Sequence, residues 1–217
     1  MKKILLTVLC LIALTPVFAD DKIVIYTDMG KIELVLFDNT PQHSKNMLKL
    51  VKKKFYDGTL FHRVIPQFMI QGGDPESKTA KKGTTLGNGD VGYRVPAEIN
   101  DVNYHRYGAL AMARDNNPEK ASSGCQFYIV VGKKFDANQL DQMASRTGRK
   151  YTEAQKKVYA TEGGTPHLDG NYTVFGQVTK GMDVVEKIID ATRDERDRPY
   201  EDIKMNKVRV KKFLGLF

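Results

Sequence analysis

From Lys22 onward the chain is a succession of short apolar stretches, each cut off by glycine, proline or an Asp/Asn turn, with few long helical runs between them. That punctuation confines the fold to short, mostly antiparallel strands. Ile23, Ile25 and Thr27 alternate with Val24 and Tyr26, Asp28-Met29-Gly30 makes a turn, and Lys31 to Phe37 reads as the second arm of a hairpin. Further strands are expected at about 60–65 and 67–72, split by Pro66, and at 94–98, 109–114, 126–131, 173–178 and 203–213. Residues 73–92, rich in Gly, Lys and Thr, read as loop.

Two core helices interrupt the strands. Thr40-Pro41 is a start signal, with Thr40 as the expected cap and Pro41 in the first turn. Met47, Leu48 and Val51 then recur at helical spacing over 41–53. Residues 181–189 repeat the pattern with Met182, Val185, Ile188 and Ile189. Residues 133–164 change character: Lys, Gln, Ala and Glu dominate, and Leu140, Met143, Tyr151, Val158 and Tyr159 are spaced as on amphipathic helices. The expected fold is therefore mainly β, a closed eight-stranded antiparallel barrel capped by two α-helices, with a helical insertion at about 133–164.

Residues 1–19 stand apart. Lys2 and Lys3 precede an apolar run, Ile4 to Leu14, broken only by Thr7, and Val17-Phe18-Ala19 offers a small-residue cleavage site. This is the pattern of a secretory signal peptide cut after Ala19, leaving 20–217 as a single domain in the periplasm or beyond. The alternative, a retained anchor, needs a longer apolar run. Lys2 and Lys3 leave with the leader, which takes the formal charge from +8 to +6. The remaining basic residues are scattered, as at Lys52 to Lys54 and Lys81-Lys82, and no nucleic-acid signature accompanies them, so no nucleic-acid partner is expected. Cys10 leaves as well, so the mature chain holds only Cys125 and folds on its core without an internal disulfide. His43, His62, His105 and His167 lack metal-ligand spacing, and neither metal nor cofactor is expected.

The chemistry concentrates in Phe61-His62-Arg63-Val64-Ile65-Pro66-Gln67-Phe68-Met69-Ile70-Gln71-Gly72-Gly73-Asp74. On two paired strands, alternation puts Phe61, Arg63 and Ile65 on one side of the first and Met69 and Gln71 on one side of the second, so that all can face one surface. A cation, a thioether and an amide over an apolar floor suit an uncharged, amide-containing ligand.

This segment resembles the signature of the cyclophilin family. Three more stretches match in order: Gly108-Ala109-Leu110-Ala111-Met112-Ala113, Ser123-Gly124-Cys125-Gln126-Phe127-Tyr128-Ile129, and Leu168-Asp169-Gly170 through Val174-Phe175-Gly176-Gln177-Val178. The resemblance implies a peptidyl-prolyl cis–trans isomerase acting on proline-containing polypeptides, with its groove on the outer face of the barrel. It implies Arg63, Gln71 and Phe68 as the catalytic set. Met69, Ala113, Arg114, Gln126, Tyr128, His167, Leu168 and Tyr172 would bind substrate, and Gln71 would hold Arg63. Tyr172 stands where many relatives carry His, and His167 where many carry Trp, so weakened cyclosporin binding is expected. Arg114 replaces a small polar residue. The expected state is a monomer with no membrane span after cleavage.

Physical chemistry supports the assignment. Rotation about an X–Pro bond meets a barrier of about 18–20 kcal/mol from amide resonance. A guanidinium donating to the prolyl nitrogen, whose lone pair is localised only in the twisted state, lowers it. The competing reading is a proline-segment-binding chaperone or assembly module with little turnover. The insertion is open to three roles at this stage: restricting substrates, binding a partner, or packing on the barrel.

Overall fold

A computed structural model describes residues 21–211; the expected leader, with Cys10, and residues 212–217, which include the end of the strand expected at 203–213, lie outside the described residues. The first hairpin forms as the alternation requires, between β1 (Lys22–Thr27) and β2 (Gly30–Leu36). Its register sets Ile23 against Leu34 and Ile25 against Ile32, so one face is wholly aliphatic. The Thr27 hydroxyl closes the turn, accepting from the Met29 N–H at 3.1 Å and donating to the Gly30 carbonyl at 3.0 Å.

Helix α1 (Pro41–Lys52) follows and buries Met47, Leu50 and Val51. The chain then forms β3 (Phe61–Ile65), β4 (Met69–Gly72), β5 (Arg94–Val95), β6 (Ala109–Met112), β7 (Ser122–Ser123) and β8 (Phe127–Val130). The insertion contributes α2 (Ala137–Thr147) and α3 (Glu153–Thr161), each opened by a capping box, on Asp136 with Gln139 and on Thr152 with Gln155. The described residues end on β9 (Val174–Lys180), α4 (Met182–Ile189) and β10 (Met205–Lys211). The stretch expected as a strand at 94–98 is cut to two residues, because Glu98 turns away to serve α1.

Eight of these strands make one antiparallel sheet in the order β10-β1-β2-β9-β6-β8-β4-β3, and β5 pairs β7 apart from it. The expected closed barrel is corrected here to a curled, open half-barrel. Among the described residues its end strands, β3 and β10, share no ladder and meet only at their near ends. There Leu60 bridges Lys204, the Phe61 N–H donates to the Ile203 carbonyl, and the Met205 N–H donates to the Thr59 carbonyl. Bulges at Tyr26/Thr27, Glu33/Leu34 and Leu110/Ala111 add the curl that a flat sheet lacks.

The concave side holds the main core. Ile25, Leu34, Phe61, Val64, Ile70, Leu110, Phe127 and Phe175 point inward, and α1 and α4 close over them. Tyr56, Phe61 and Phe127 meet edge to face at 5.5 and 6.3 Å. Removing one such ring costs about 3–5 kcal/mol.

Two sequence expectations fail within this core. Thr40 does not cap α1: its hydroxyl donates to the Phe37 carbonyl at 3.2 Å, and the Glu98 carboxylate accepts the Gln42 and His43 N–H groups, each at 2.9 Å. And Phe61 does not share a side with Arg63 and Ile65. The β3–β4 register pairs Phe61 with Gly72 and Arg63 with Gln71, so His62 is an extra residue that turns Phe61 into the core and Arg63 outward.

Candidate active site

The outer face of β3, β4, β8 and β6 carries the chemistry. Register sets Arg63 opposite Gln71, Gln71 opposite Tyr128, and Tyr128 opposite Ala111, so one row of side chains crosses four strands on the same side. Met69, Tyr128, Ala109, Ala111 and Val174 form a second apolar cluster there, separate from the main core. The β3–β4 turn presents Phe68, whose carbonyl accepts from the Val131 and Gly132 N–H groups at 2.9 and 3.0 Å.

Arg63, Phe68, Met69, Gln71, Ala113, Arg114, Tyr128, Leu168 and Tyr172 together line a pocket of about 190 Å³. A larger hollow of about 470 Å³, bounded by Phe37, Val102, Tyr104 and Arg106, includes none of the row Arg63, Gln71 and Tyr128, so size alone does not choose the site.

Arg63 keeps 43% of its side chain exposed, and its Nε lies 3.5 Å from Asp197 Oδ2. The Val64 N–H donates to the Asp197 carbonyl at 2.8 Å, which ties that loop to β3. An ion pair this exposed is worth about 0–1 kcal/mol, so its effect is orientation rather than stability. Because the contact uses Nε, the terminal nitrogens face no other recorded partner among the described residues.

From the sequence Gln71 is expected to hold Arg63, and here the structure corrects that expectation. Gln71 Nε2 donates to Gln126 Oε1 at 3.1 Å, while Gln126 Nε2 donates to the Gly87 and Gly89 carbonyls, each at 2.8 Å. Two carbonyls fix the Gln126 amide and Gln126 fixes Gln71, leaving Gln71 Oε1 as an acceptor. A carboxylate also outcompetes a neutral amide for a guanidinium, which is why Asp197 takes Arg63. Gln126 itself lies outside the pocket with Arg63; it lines an adjoining depression of about 380 Å³ shared with Gln71, Ala113 and Arg114.

The rim is built by the turn Pro166–Leu168 and the start of β9. Leu168 and Tyr172 enter the pocket. His167 does not: it is exposed, and its ring packs 5.6 Å from that of Phe68. Arg114 Nε donates to the Asn171 carbonyl at 2.8 Å and its guanidinium lies 4.9 Å over the Tyr172 ring.

Sequence reasoning missed three residues here: Asp197, the bulge residue His62, and His105, whose Nε2 lies 3.0 Å from the Tyr128 hydroxyl. None carries a local signal, since each works through a partner distant in the chain. Burial raises the Tyr128 hydroxyl pKa well above its ordinary value, so the phenol stays neutral. Cys125 is buried beside β8, and burial pushes its thiol up to about 11, which makes it inert rather than nucleophilic.

Comparison with known proteins bears on these residues. A family model described as cyclophilin type peptidyl-prolyl cis-trans isomerase/CLD matches residues 22–210. A Staphylococcus saprophyticus relative named for peptidyl-prolyl cis-trans isomerase is 34% identical over 191 residues, covering 87% of this chain and 91% of its own. A Streptococcus pyogenes relative, whose name pairs a phosphatase with a peptidyl-prolyl cis-trans isomerase, is 37% identical over 193 residues; the chain spans only 38% of that protein's length. The crystal structure of a Cryptosporidium parvum cyclophilin type isomerase shares the fold, with a TM-score of 0.65 at 24% identity over 90% of this chain and 99% of that one. A second crystal structure of that protein, obtained in the presence of the dipeptide Ala-Pro, gives a TM-score of 0.63 at 25% identity, covering 88% and 99%.

Proposed function

The chain belongs to the cyclophilin-type peptidyl-prolyl cis–trans isomerase family, and from that premise we propose that it accelerates rotation about X–Pro bonds in exported proteins, with Arg63 as the electrostatic catalyst. The observation that carries this reading is the bulge at His62, which brings a half-exposed guanidinium to the edge of an apolar pocket floored by Met69 and Tyr128.

The proline ring enters between Phe68, Met69, Tyr128 and Leu168, and burial of its apolar surface holds one end of the bond. Gln71 Oε1 accepts a backbone N–H of the substrate. As the amide twists, resonance breaks and the prolyl nitrogen gains a localised lone pair; an Arg63 N–H donates to it. The interaction exists only in the twisted state, so it lowers the barrier without tightening the ground state. Asp197 orients the donor in advance, so little reorganisation is needed.

Export and a periplasmic site rest on the pattern of residues 1–19. The chain works as a monomer. The exposed imidazole of His167 offers less apolar surface than an indole, which weakens cyclosporin binding more than catalysis.

A protease-coupled assay on an X–Pro peptide tests the catalytic reading. Arg63→Ala lowers kcat/KM at least tenfold, about 1.4 kcal/mol. Unchanged activity in a folded variant overturns the role of Arg63. Proline-peptide binding without turnover in the wild-type chain makes it a binding module instead.

A further inference from the structure

Behind the pocket a set of buried polar groups takes no part in the reaction as described. The Tyr128 hydroxyl lies 3.0 Å from His105 Nε2, His105 Nδ1 lies 2.8 Å from Asp169 Oδ1, and the Tyr159 hydroxyl donates to Asp169 Oδ2 at 2.6 Å. The His105 backbone N–H also donates to Asp169 Oδ1, at 2.8 Å. All four side chains are buried. We propose that the helical insertion sets the affinity of the groove through this chain, Tyr159–Asp169–His105–Tyr128, in which His105 and Asp169 are positioning residues for the ring of Tyr128. The proposal rests on the isomerase reading of the pocket.

The direction of each bond follows from the inventory of donors. The Tyr159 O–H and His105 Nδ1–H both point to the Asp169 carboxyl oxygens. The His105 tautomer with its proton on Nδ1 presents Nε2 as an acceptor, and Tyr128 O–H fills it. Every group is satisfied by one arrangement, and breaking any link strands a buried polar atom. The Tyr128 ring, which floors the proline pocket, is therefore pinned at both ends, by its backbone and by its hydroxyl. His105 stacks against it with centroids 6.0 Å apart and planes 10° apart, and Tyr172 stands edge-on to both rings. A phenylalanine would floor the pocket equally well, so the hydroxyl and its partners add constraint rather than surface.

The far end of the chain lies in the insertion. Tyr159 belongs to α3 and packs with Phe135, Leu140 and Tyr151 in a small core of its own. A second tie reaches the rim: the Tyr151 hydroxyl donates to the Pro166 carbonyl at 3.0 Å, and Pro166 begins the turn that carries Leu168. The insertion thus stands behind the groove, one tie to its floor and one to its rim. Of the three roles open from sequence, packing on the barrel comes nearest, and this geometry extends it to buttressing the site.

Tyr159→Phe removes one hydroxyl and keeps the ring. Losing one net hydrogen bond corresponds to about a fivefold change. Expected is a rise in KM of that size with kcat unchanged, because the Tyr128 ring contacts proline in both ground and transition states. In a Tyr128→Phe background the same substitution has no effect, since the chain is already cut. A KM that does not move, or a loss that persists undiminished beside Tyr128→Phe, overturns the proposal. A wild-type chain without turnover would sink the isomerase reading alone. The decision then passes to an aromatic NMR titration with an Ala-Pro peptide. In it Tyr159→Phe shifts the Tyr128 ring resonances and weakens binding about fivefold, and unmoved resonances with unchanged affinity overturn the chain.

Discussion

His62 is the residue that the bulge inserts, and the same geometry that aims Arg63 leaves its ring inside the protein. It is 4% exposed, and neither ring nitrogen has a hydrogen-bond partner among the described residues. Burial lowers its pKa from 6.5 to about 4, against a weaker opposing pull from Asp74. The unfolded chain therefore takes up the proton first. Stability stands at its full value above pH 6.5, falls as the pH drops toward about 4, and then levels off with respect to this group. The loss across that window is on the order of 3 kcal/mol. Urea denaturation at a series of pH values checks it. The wild-type profile drops more steeply between 6.5 and 4 than that of His62→Gln, which shares every carboxylate but lacks the imidazole. Parallel profiles would show that the ring is solvated in the folded state.

At the scale of elements, helix α1 is held by a partner that no local pattern reveals. Glu98 approaches from 55 residues away, takes two N–H groups of the first turn, and sits 2.6 Å from His43 Nδ1, whose Nε2 reaches the Ser122 hydroxyl at 2.9 Å. Burial raises the Glu98 pKa, but the bonds from Gln42 and His43 outweigh it and hold the carboxyl below its ordinary value. A charged cap of this kind adds the helix-terminus field to the hydrogen bonds. Glu98→Ala is expected to cost about 2 kcal/mol in a chemical denaturation midpoint, at the upper end for caps, because it strands two N–H groups and the His43 ring. A loss below 0.5 kcal/mol, the level of about an exposed surface change, would mean that water replaces the carboxylate freely. The start of α1 was legible in Thr40-Pro41 because proline's fixed φ is a local property. The identity of the cap was not, because it depends on where a distant loop passes. The His62 bulge is the same case: period-two alternation presumes an unbroken ladder, and one inserted residue inverts the face of Phe61 while leaving that of Arg63 and Ile65 as read.

Among the described residues the buried apolar side chains divide into three groups: the concave core under α1 and α4, the outer-face cluster that floors the pocket, and the small cluster of Phe135, Leu140, Tyr151 and Tyr159 in the insertion. Most of the strands, the two covering helices and most of the pocket residues were readable, since they follow from alternation and from ordered motifs; the order of the strands in the sheet was not. The open seam between β3 and β10 was not, because closure depends on how far each end strand runs beside the other. Nor was the back of the pocket, where His105 meets partners 23 and 64 residues away. The division into three clusters predicts that stability is uneven. Leu140 is fully buried, and its cluster lies in the insertion except for Tyr104, which packs against it from the loop before β6. Leu140→Ala removes about 2–5 kcal/mol of packing from that unit. Hydrogen exchange followed by mass spectrometry should then show faster exchange in α2 and α3, with the amides of β4, β6 and β8 still protected. Because Tyr159 shares that cluster, the loosened insertion should also raise KM, as cutting the buried chain does. Uniformly faster exchange through the sheet would mean that the insertion and the half-barrel unfold as one unit, and the groove would then be tuned by global stability rather than through Tyr128.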